Sequence, residues 1–216
     1  MKPRTLVLAT AALLLLAFAT ASALYQRSQA DAAARRAVLH GDRLIRPHAP
    51  VLGEATAAVT IVEFFDPACA TCQAFYAPLK QLIDEHPGKL RLVIRYAPFQ
   101  IGSEHIVALL EAARRQEKFW PVLDALMDTQ DDWKPQHEAE LARVWKHLEG
   151  LGLDLERLRR DMADAEIAAR IRQDEDDATA LKIDTTPTFY VNGRPLPGFG
   201  FNVLQKTVAA ALSTHE

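Results

Sequence analysis

A strand–helix–strand pattern in the first half of the chain constrains the fold more than any other feature. Val59–Phe65 is a near-continuous run of β-branched and aromatic residues, which predicts a buried strand. Residues 69–86 then repeat apolar side chains at helical spacing, with Phe75 on the apolar face, and Pro87-Gly88 ends that helix. Leu90–Tyr96 alternates apolar residues with two arginines, which predicts a second strand. So compact a unit predicts two parallel strands joined by a helix.

The stretch at about 103–181 is predicted to be helical, as a block inserted after the first strand pair. Apolar residues recur there at helical spacing, and we interpret these stripes as core. Residues 131–135 are expected to interrupt the block. Asp154 is the expected N-cap of a long charged helix that runs to about Ala178.

The C-terminal residues return to strands. Thr188–Val191 predicts a short strand, and Asn192-Gly193 predicts a hairpin because both central residues of a type I′ turn need a positive φ. The chain then returns along residues 194–197 and closes with a helix over Phe199–Leu212. Together these elements predict an α/β fold with a central sheet, flanking helices and a helical insertion.

The N-terminal segment has the layout of a secretory signal. Lys2 and Arg4 form a basic head, Leu6–Phe18 is apolar, and small residues follow up to Ala23. Two interpretations are open: cleavage after Ala23, or an uncleaved anchor formed by residues 5–25, which at about 20 residues is just long enough to span a bilayer. Both place the remaining chain outside the cytoplasm, where disulfides persist. The predicted segments are a signal or anchor at 1–23, a linker or loosely held amphipathic helix at 24–44, and one domain at 45–216.

Cys69 and Cys72 are the only cysteines of the chain. A structural zinc site needs four ligands, and the histidines do not complete a finger spacing with this pair. The spacing is also too tight for an ordinary structural disulfide, which closes a longer loop. At a helix start, unpaired backbone N–H groups and the helix dipole stabilise a thiolate. We therefore expect Cys69 to be nucleophilic and Cys72, one turn inside, to be shielded.

Glu63 is a carboxylate in an otherwise apolar strand, on the same face as Ile61 and Phe65. Burial of an unpaired carboxylate is costly, so its pKa should rise. Because Glu63 lies six residues before Cys69, the strand could place it beneath the helix start, where it could exchange a proton with Cys72. The alternative is that Glu63 emerges into water at a sheet edge.

Several segments together resemble the DsbA-like family of thiol–disulfide oxidoreductases, over roughly residues 45–212. The resemblance implies a thioredoxin-like fold that carries a helical insertion. The matching segments are Val59–Phe65, the Cys-x-x-Cys pair, Thr185–Gly193 (Thr-Thr-Pro-Thr-Phe-Tyr-Val-Asn-Gly), Pro50–Gly53 and Lys118–Trp120.

The resemblance also implies roles for individual residues. Cys69 matches the attacking cysteine and Cys72 the resolving one. Pro187 matches a cis-proline that faces the cysteine pair, and Thr186 offers backbone hydrogen bonds to an extended substrate segment. Glu63 matches the buried strand carboxylate of the family.

The implied function is an enzyme that exchanges disulfides with protein substrates in the periplasm, with oxidation as the expected direction and a DsbB-like membrane redox partner. No cofactor is expected because the cysteine pair carries the electrons, and the net charge of −3 argues against a nucleic-acid partner. Ala70-Thr71 stands where the strong oxidants of the family have Pro-His, which removes one stabiliser of the thiolate. The alternatives are a reductase or isomerase fed by a membrane electron donor, and a non-catalytic binding or chaperone module. The oligomeric state is left open.

Overall fold

The structure, a computed structural model, describes residues 3–39 and 41–214. Its strands are β1 (Val51–Gly53), β2 (Val59–Phe65), β3 (Leu90–Tyr96), β4 (Thr188–Val191) and β5 (Arg194–Pro195). Its helices are α1 (Pro3–Leu39), α2 (Ala70–Asp84), α3 (Ser103–Arg114), α4 (Phe119–Asp128), α5 (Gln130–Trp133), α6 (Leu141–Val144), α7 (Leu155–Met162), α8 (Ala165–Leu181) and α9 (Phe201–Ser213).

The sheet has the strand order β1-β3-β2-β4-β5, so β2 lies at its centre. The pair β2–β3 is parallel, in a register that runs from Val59 opposite Leu90 to Phe65 opposite Tyr96. The predicted parallel unit is confirmed, and α2 is its crossover helix. All other pairings in this sheet are antiparallel. The two predicted strands therefore form the middle of the fold.

The hairpin between β4 and β5 has the predicted turn. Asn192 and Gly193 have φ values of 46° and 76°, as a type I′ turn requires. The Asn192 side chain also accepts a hydrogen bond from the Thr60 backbone N–H at 2.8 Å. This bond fixes the turn to β2, the central strand.

The helical insertion departs from its prediction in two places. Asp154 caps α7, as expected, and accepts a hydrogen bond from the Arg157 N–H. The expected long helix is wrong, however, because α7 ends at Met162 and the Asp164 side chain accepts from the Glu166 N–H and starts α8. The expected break at 131–135 is also wrong in part, since α5 runs to residue 133.

Both faces of the sheet are covered. On one face, Ile61 and Phe65 pack with α2, the insertion and α9 in the larger part of the core. The opposite face packs against α8 and the segment that precedes β1. Arg95 lies on that second face with no exposed surface, and its guanidinium contacts Asp174 at 2.7 Å and Asp177 at 2.8 Å. This buried ion pair joins β3 to α8.

The N-terminal segment forms one helix, α1, which includes residues 24–39 of the stretch expected to be a linker or a loosely held amphipathic helix. The apolar side chains of Leu13–Leu16 are largely exposed. In the described part of the chain, none of the helices combines the length and apolar character that a bilayer crossing requires. The signal or anchor at 1–23 stays a prediction, and its first two residues, with Lys2 of the basic head, lie outside the described residues.

Candidate active site

Cys69 is the N-cap residue of α2, where β2 gives way to the helix. Its backbone is extended, with φ −80° and ψ 122°, and its carbonyl accepts the first helical hydrogen bond, from the Gln73 N–H at 3.1 Å. Both cysteines are free thiols. Cys69 is 9% exposed and Cys72 is fully buried. Only the first sulfur can therefore meet a second protein.

The surroundings of Cys69 stabilise its thiolate. The pKa of Cys69 falls from an ordinary 9.0 to about 5, chiefly because the Cys72 side chain donates a hydrogen bond to its sulfur. Burial opposes this shift, while the Thr186 side chain and the backbone N–H groups of Cys72 and Thr71 add to it. The N–H contributions are those expected at a helix start. At neutral pH Cys69 is a thiolate.

Cys72 is shifted in the opposite direction. Its pKa rises well above 9.0, first because it is buried and then because it donates to Cys69 and faces the charge of Glu63. A buried thiol keeps its proton, so the two sulfurs differ strongly in nucleophilicity. The arrangement separates an attacking thiolate from a protonated partner one turn away.

Glu63 lies in the centre of the sheet, opposite Ile94 of β3 and Phe189 of β4. The sheet-edge alternative is therefore wrong. Its side chain is 1% exposed, and its Oε2 atom has no hydrogen-bond partner in the described structure. Burial, together with the charge of Cys69, raises the pKa of Glu63 well above 4.5. The Glu63 carboxyl group therefore interacts electrostatically with both cysteines and keeps its proton to a higher pH than an ordinary glutamate.

The Thr186–Pro187 peptide bond is cis. The Cys69 sulfur lies 3.3 Å from the Thr186 carbonyl oxygen, which accepts a hydrogen bond when the thiol is protonated. The loop before β4 therefore faces the cysteine pair, as the resemblance implies. The neighbouring Thr188 hydroxyl instead donates to the Thr185 carbonyl at 2.7 Å.

An apolar pocket beside this loop is a feature that the sequence analysis missed. It has a volume of ≈ 140 Å³ and is lined by Phe75, Pro187, Leu196 and Phe199 among others. Phe75, which was predicted to lie on the apolar face of its helix, is only partly buried and stacks on Phe199 with ring centroids 5.8 Å apart. Phe199 is 71% exposed. The available signal was an aromatic residue between two glycines, Gly198 and Gly200, at the expected start of the last helix.

Asp66, between the predicted strand and helix, is a second site residue that the sequence pattern does not reveal. It is fully buried, and it accepts from the Ala68 N–H and the Gln100 N–H at 2.8 Å each, and from the Ser103 hydroxyl. Burial raises the pKa of Asp66 despite these donors. The carboxylate ties the loop before Cys69 to the start of α3. Among the described residues, no group of three His, Cys, Asp or Glu side chains is placed to hold a metal ion.

A family model described as Thioredoxin matches residues 46–208. The chain belongs to the thioredoxin family. The matched range contains the sheet, the insertion and every residue of the candidate site. This membership confirms the thioredoxin-like fold and, at the level of that fold, the resemblance to the DsbA-like oxidoreductases described next.

Solved structures of this family superpose over most of the chain. A thioredoxin-like oxidoreductase from Silicibacter pomeroyi DSS-3 is 33% identical with a TM-score of 0.68, over 80% of this chain and 97% of that one. The thiol–disulfide exchange protein alpha-DsbA2 from Wolbachia pipientis has 20% identity and a TM-score of 0.71, over 85% and 97%. BdbD from Bacillus subtilis has 24% identity and a TM-score of 0.66, over 77% and 94%. The last two show the shared fold alone.

The curated relatives include Na(+)/H(+) antiporters. The Na(+)/H(+) antiporter NhaA 3 of Salinispora tropica is 35% identical over 170 residues, which are 76% of this chain and 25% of that protein. The NhaA antiporter of Herminiimonas arsenicoxydans is 32% identical over 148 residues, or 68% and 23%. The chain thus spans about a quarter of the length of the curated relatives that it matches.

Proposed function

We propose that the protein is a thiol–disulfide oxidoreductase that exchanges disulfides with protein substrates through Cys69 and Cys72. The observation that carries this proposal is the placement of the pair: Cys69 is the N-cap of α2 beside the Thr186 carbonyl, and Cys72 is buried one turn inside. This placement lowers the pKa of Cys69 to about 5 and raises that of Cys72 well above 9.0. Such an asymmetric pair can accept and release two electrons without a cofactor.

In the oxidising direction, the reaction begins with the Cys69–Cys72 disulfide. A substrate thiolate attacks the Cys69 sulfur, the bond between the two cysteines breaks, and Cys72 leaves as a thiolate. A second substrate thiolate then attacks the first substrate sulfur and releases Cys69 as a thiolate. The substrate gains one disulfide, and its two electrons end on the cysteine pair.

Glu63 would donate a proton to Cys72, or accept one from it, in this reaction. Its raised pKa favours the protonated form, which can give a proton to the Cys72 thiolate as that thiolate leaves. In the reverse direction, the ionised carboxylate would take the proton from Cys72 before Cys72 attacks the mixed disulfide. The Oε2 atom of Glu63 supports this role, because it is buried without a hydrogen-bond partner among the described residues and is available to bind or release a proton.

The loop at Thr186 and Pro187 would bind the substrate. The Thr186 carbonyl lies against Cys69, so a substrate segment that runs past this loop brings its own sulfur within reach. The apolar pocket lined by Phe75 and Phe199 lies beside Pro187 and would accept an apolar side chain of the same segment.

The proposed direction is oxidation of secreted proteins, with a DsbB-like membrane partner that restores the disulfide. The low pKa of Cys69 supports this direction, because a stabilised thiolate favours the dithiol and makes the disulfide a stronger oxidant. The proposed location is the periplasm, either after cleavage near Ala23 or tethered through residues 5–25. Mass spectrometry of the mature N-terminus distinguishes these two forms.

The test is the redox equilibrium of the purified protein with glutathione, measured beside Cys69→Ser and Cys72→Ser. We expect a disulfide that forms in the unmodified protein, and loss of activity on a scrambled disulfide substrate in both variants. A pair that never forms a disulfide contradicts the enzymatic proposal and favours a binding module. A strongly reducing potential instead supports the reductase or isomerase alternative.

A further inference from the structure

Gln130 and Lys134 connect the helical insertion to the loop that carries the attacking cysteine. Gln130 is the first residue of α5 and has no exposed surface. Its Nε2 atom donates to the Pro67 carbonyl at 2.8 Å and to the Cys69 carbonyl at 3.1 Å. The buried Lys134 donates from Nζ to Gln130 Oε1 at 2.9 Å. One side chain thus ties the loop Pro67–Cys69 to α5, and a second holds that side chain.

The chemistry of these groups fixes the orientation of the Gln130 amide. An ammonium can only donate hydrogen bonds, so it must face the amide oxygen. The carbonyls of Pro67 and Cys69 can only accept, so they must face the amide nitrogen. A flipped amide would break all three bonds inside a buried site, where unpaired polar groups are costly. Lys134 therefore selects the amide orientation that can hold the loop.

We propose that Gln130 and Lys134 are positioning residues for the thiol–disulfide reaction, which hold the Cys69 backbone so that the first-turn N–H groups of α2 face its sulfur. This inference rests on the proposed exchange function of the cysteine pair. The hydrogen bond to the Cys69 carbonyl acts at the N-cap residue itself. A small rotation of the backbone there changes the distances from Sγ to the N–H groups of Thr71 and Cys72. The helical insertion would in this way affect the reactivity of the Cys69 sulfur without donating a hydrogen bond to it.

The expected effect follows from the loss of these donors. Gln130→Met removes both hydrogen bonds to the loop while it keeps the length of the side chain. We expect the pKa of Cys69 to rise and the equilibrium constant for oxidation of glutathione to fall by about three- to tenfold, the range of one ordinary hydrogen bond. Lys134→Met keeps the apolar stem and removes the ammonium. It should shift both quantities in the same direction by a smaller factor, because the amide is then free to flip.

The matched control is Gln116→Met. Gln116 also bridges two segments, since it donates to the Asp154 carbonyl at 3.1 Å and accepts from the Asp154 N–H at 2.8 Å, and neither of these bonds involves the cysteine loop. Its loss should lower the unfolding temperature and leave the Cys69 pKa unchanged. The measurements are the ultraviolet absorbance of the thiolate as a function of pH, the glutathione equilibrium and thermal unfolding.

Each outcome decides between the inference and its alternatives. A higher Cys69 pKa in Gln130→Met, absent from Gln116→Met, supports the positioning role. Variants of Gln130 and Lys134 that lose thermal stability but titrate like the unmodified protein overturn it and leave a purely structural contact. If Gln130→Met does not fold, Lys134→Met decides by the same criterion. An unmodified protein that forms no disulfide contradicts the proposed function instead, which keeps the two failures distinct.

Discussion

Replacement of Thr186 by valine tests the thiolate stabilisation at a single side chain. The Thr186 side chain lowers the pKa of Cys69, and valine keeps its shape while it removes the hydroxyl. A hydrogen bond to a charged group contributes about 1.5–3 kcal/mol, and we take the lower end because the sulfur remains partly accessible. Since one pKa unit corresponds to about 1.4 kcal/mol, the pKa of Cys69 should rise by about one unit. At pH 7 this makes the disulfide about tenfold, or ~30 mV, less oxidising.

The assay is the pH titration of thiolate absorbance, followed by the glutathione equilibrium of the same sample. Thr188→Val is the matched control, because the Thr188 hydroxyl donates to the Thr185 carbonyl rather than to the cysteine. It should leave both quantities unchanged. The reasoning is refuted if Thr186→Val titrates like the unmodified protein, or if both valine variants shift the pKa of Cys69 equally.

Three further predictions concern the proton, the nucleophile and the fold. Glu63→Gln should slow the resolution of a mixed disulfide by roughly a hundredfold at neutral pH, since an amide cannot take the Cys72 proton, and unchanged stopped-flow rates would rule that role out. Because the pKa of Cys69 is lowered to about 5, alkylation by iodoacetamide should stay fast at pH 6 and decline only as the pH falls through 5; a decline near 8 would contradict the shift. Asp174→Ala should reduce the free energy of unfolding by about 3–5 kcal/mol in urea titrations, because Arg95 loses one of its two buried carboxylate partners and the buried Tyr96 N–H loses its acceptor. A loss below about 1 kcal/mol would show that water or Asp177 compensates.

The central strands could be predicted from the sequence because their environment leaves a simple pattern. β2 and β3 are covered on both faces, so their apolar runs are nearly continuous, and the predicted bounds Val59–Phe65 and Leu90–Tyr96 agree with the structure. The helix start at Cys69 was also predictable, because Asp66-Pro67 interrupts the strand just before it. These are local signals that need no knowledge of distant residues.

The rest depends on contacts between residues that are far apart in the chain. Arg95 has the appearance of a polar strand position, and its burial becomes clear only when Asp174, 79 residues later, is placed beside it. Gln130 likewise contacts Cys69 across 61 residues. The break before α8 had a local cause, the Asp164 cap, but a continuous helix was equally compatible with the charge pattern. Sequence periodicity describes one element at a time and does not contain these pairings.

The central claim is that Cys69 attacks and Cys72 resolves, and trapping of mixed disulfides tests it most directly. Cys72→Ser and Cys69→Ser are each incubated with a protein substrate that contains a disulfide, and the adducts are identified by mass spectrometry. The account predicts a stable adduct through Cys69 in Cys72→Ser, because the resolving thiol is gone, and none in Cys69→Ser, because Cys72 is fully buried and protonated. Equal trapping through both cysteines, or an adduct through Cys72 alone, would contradict it.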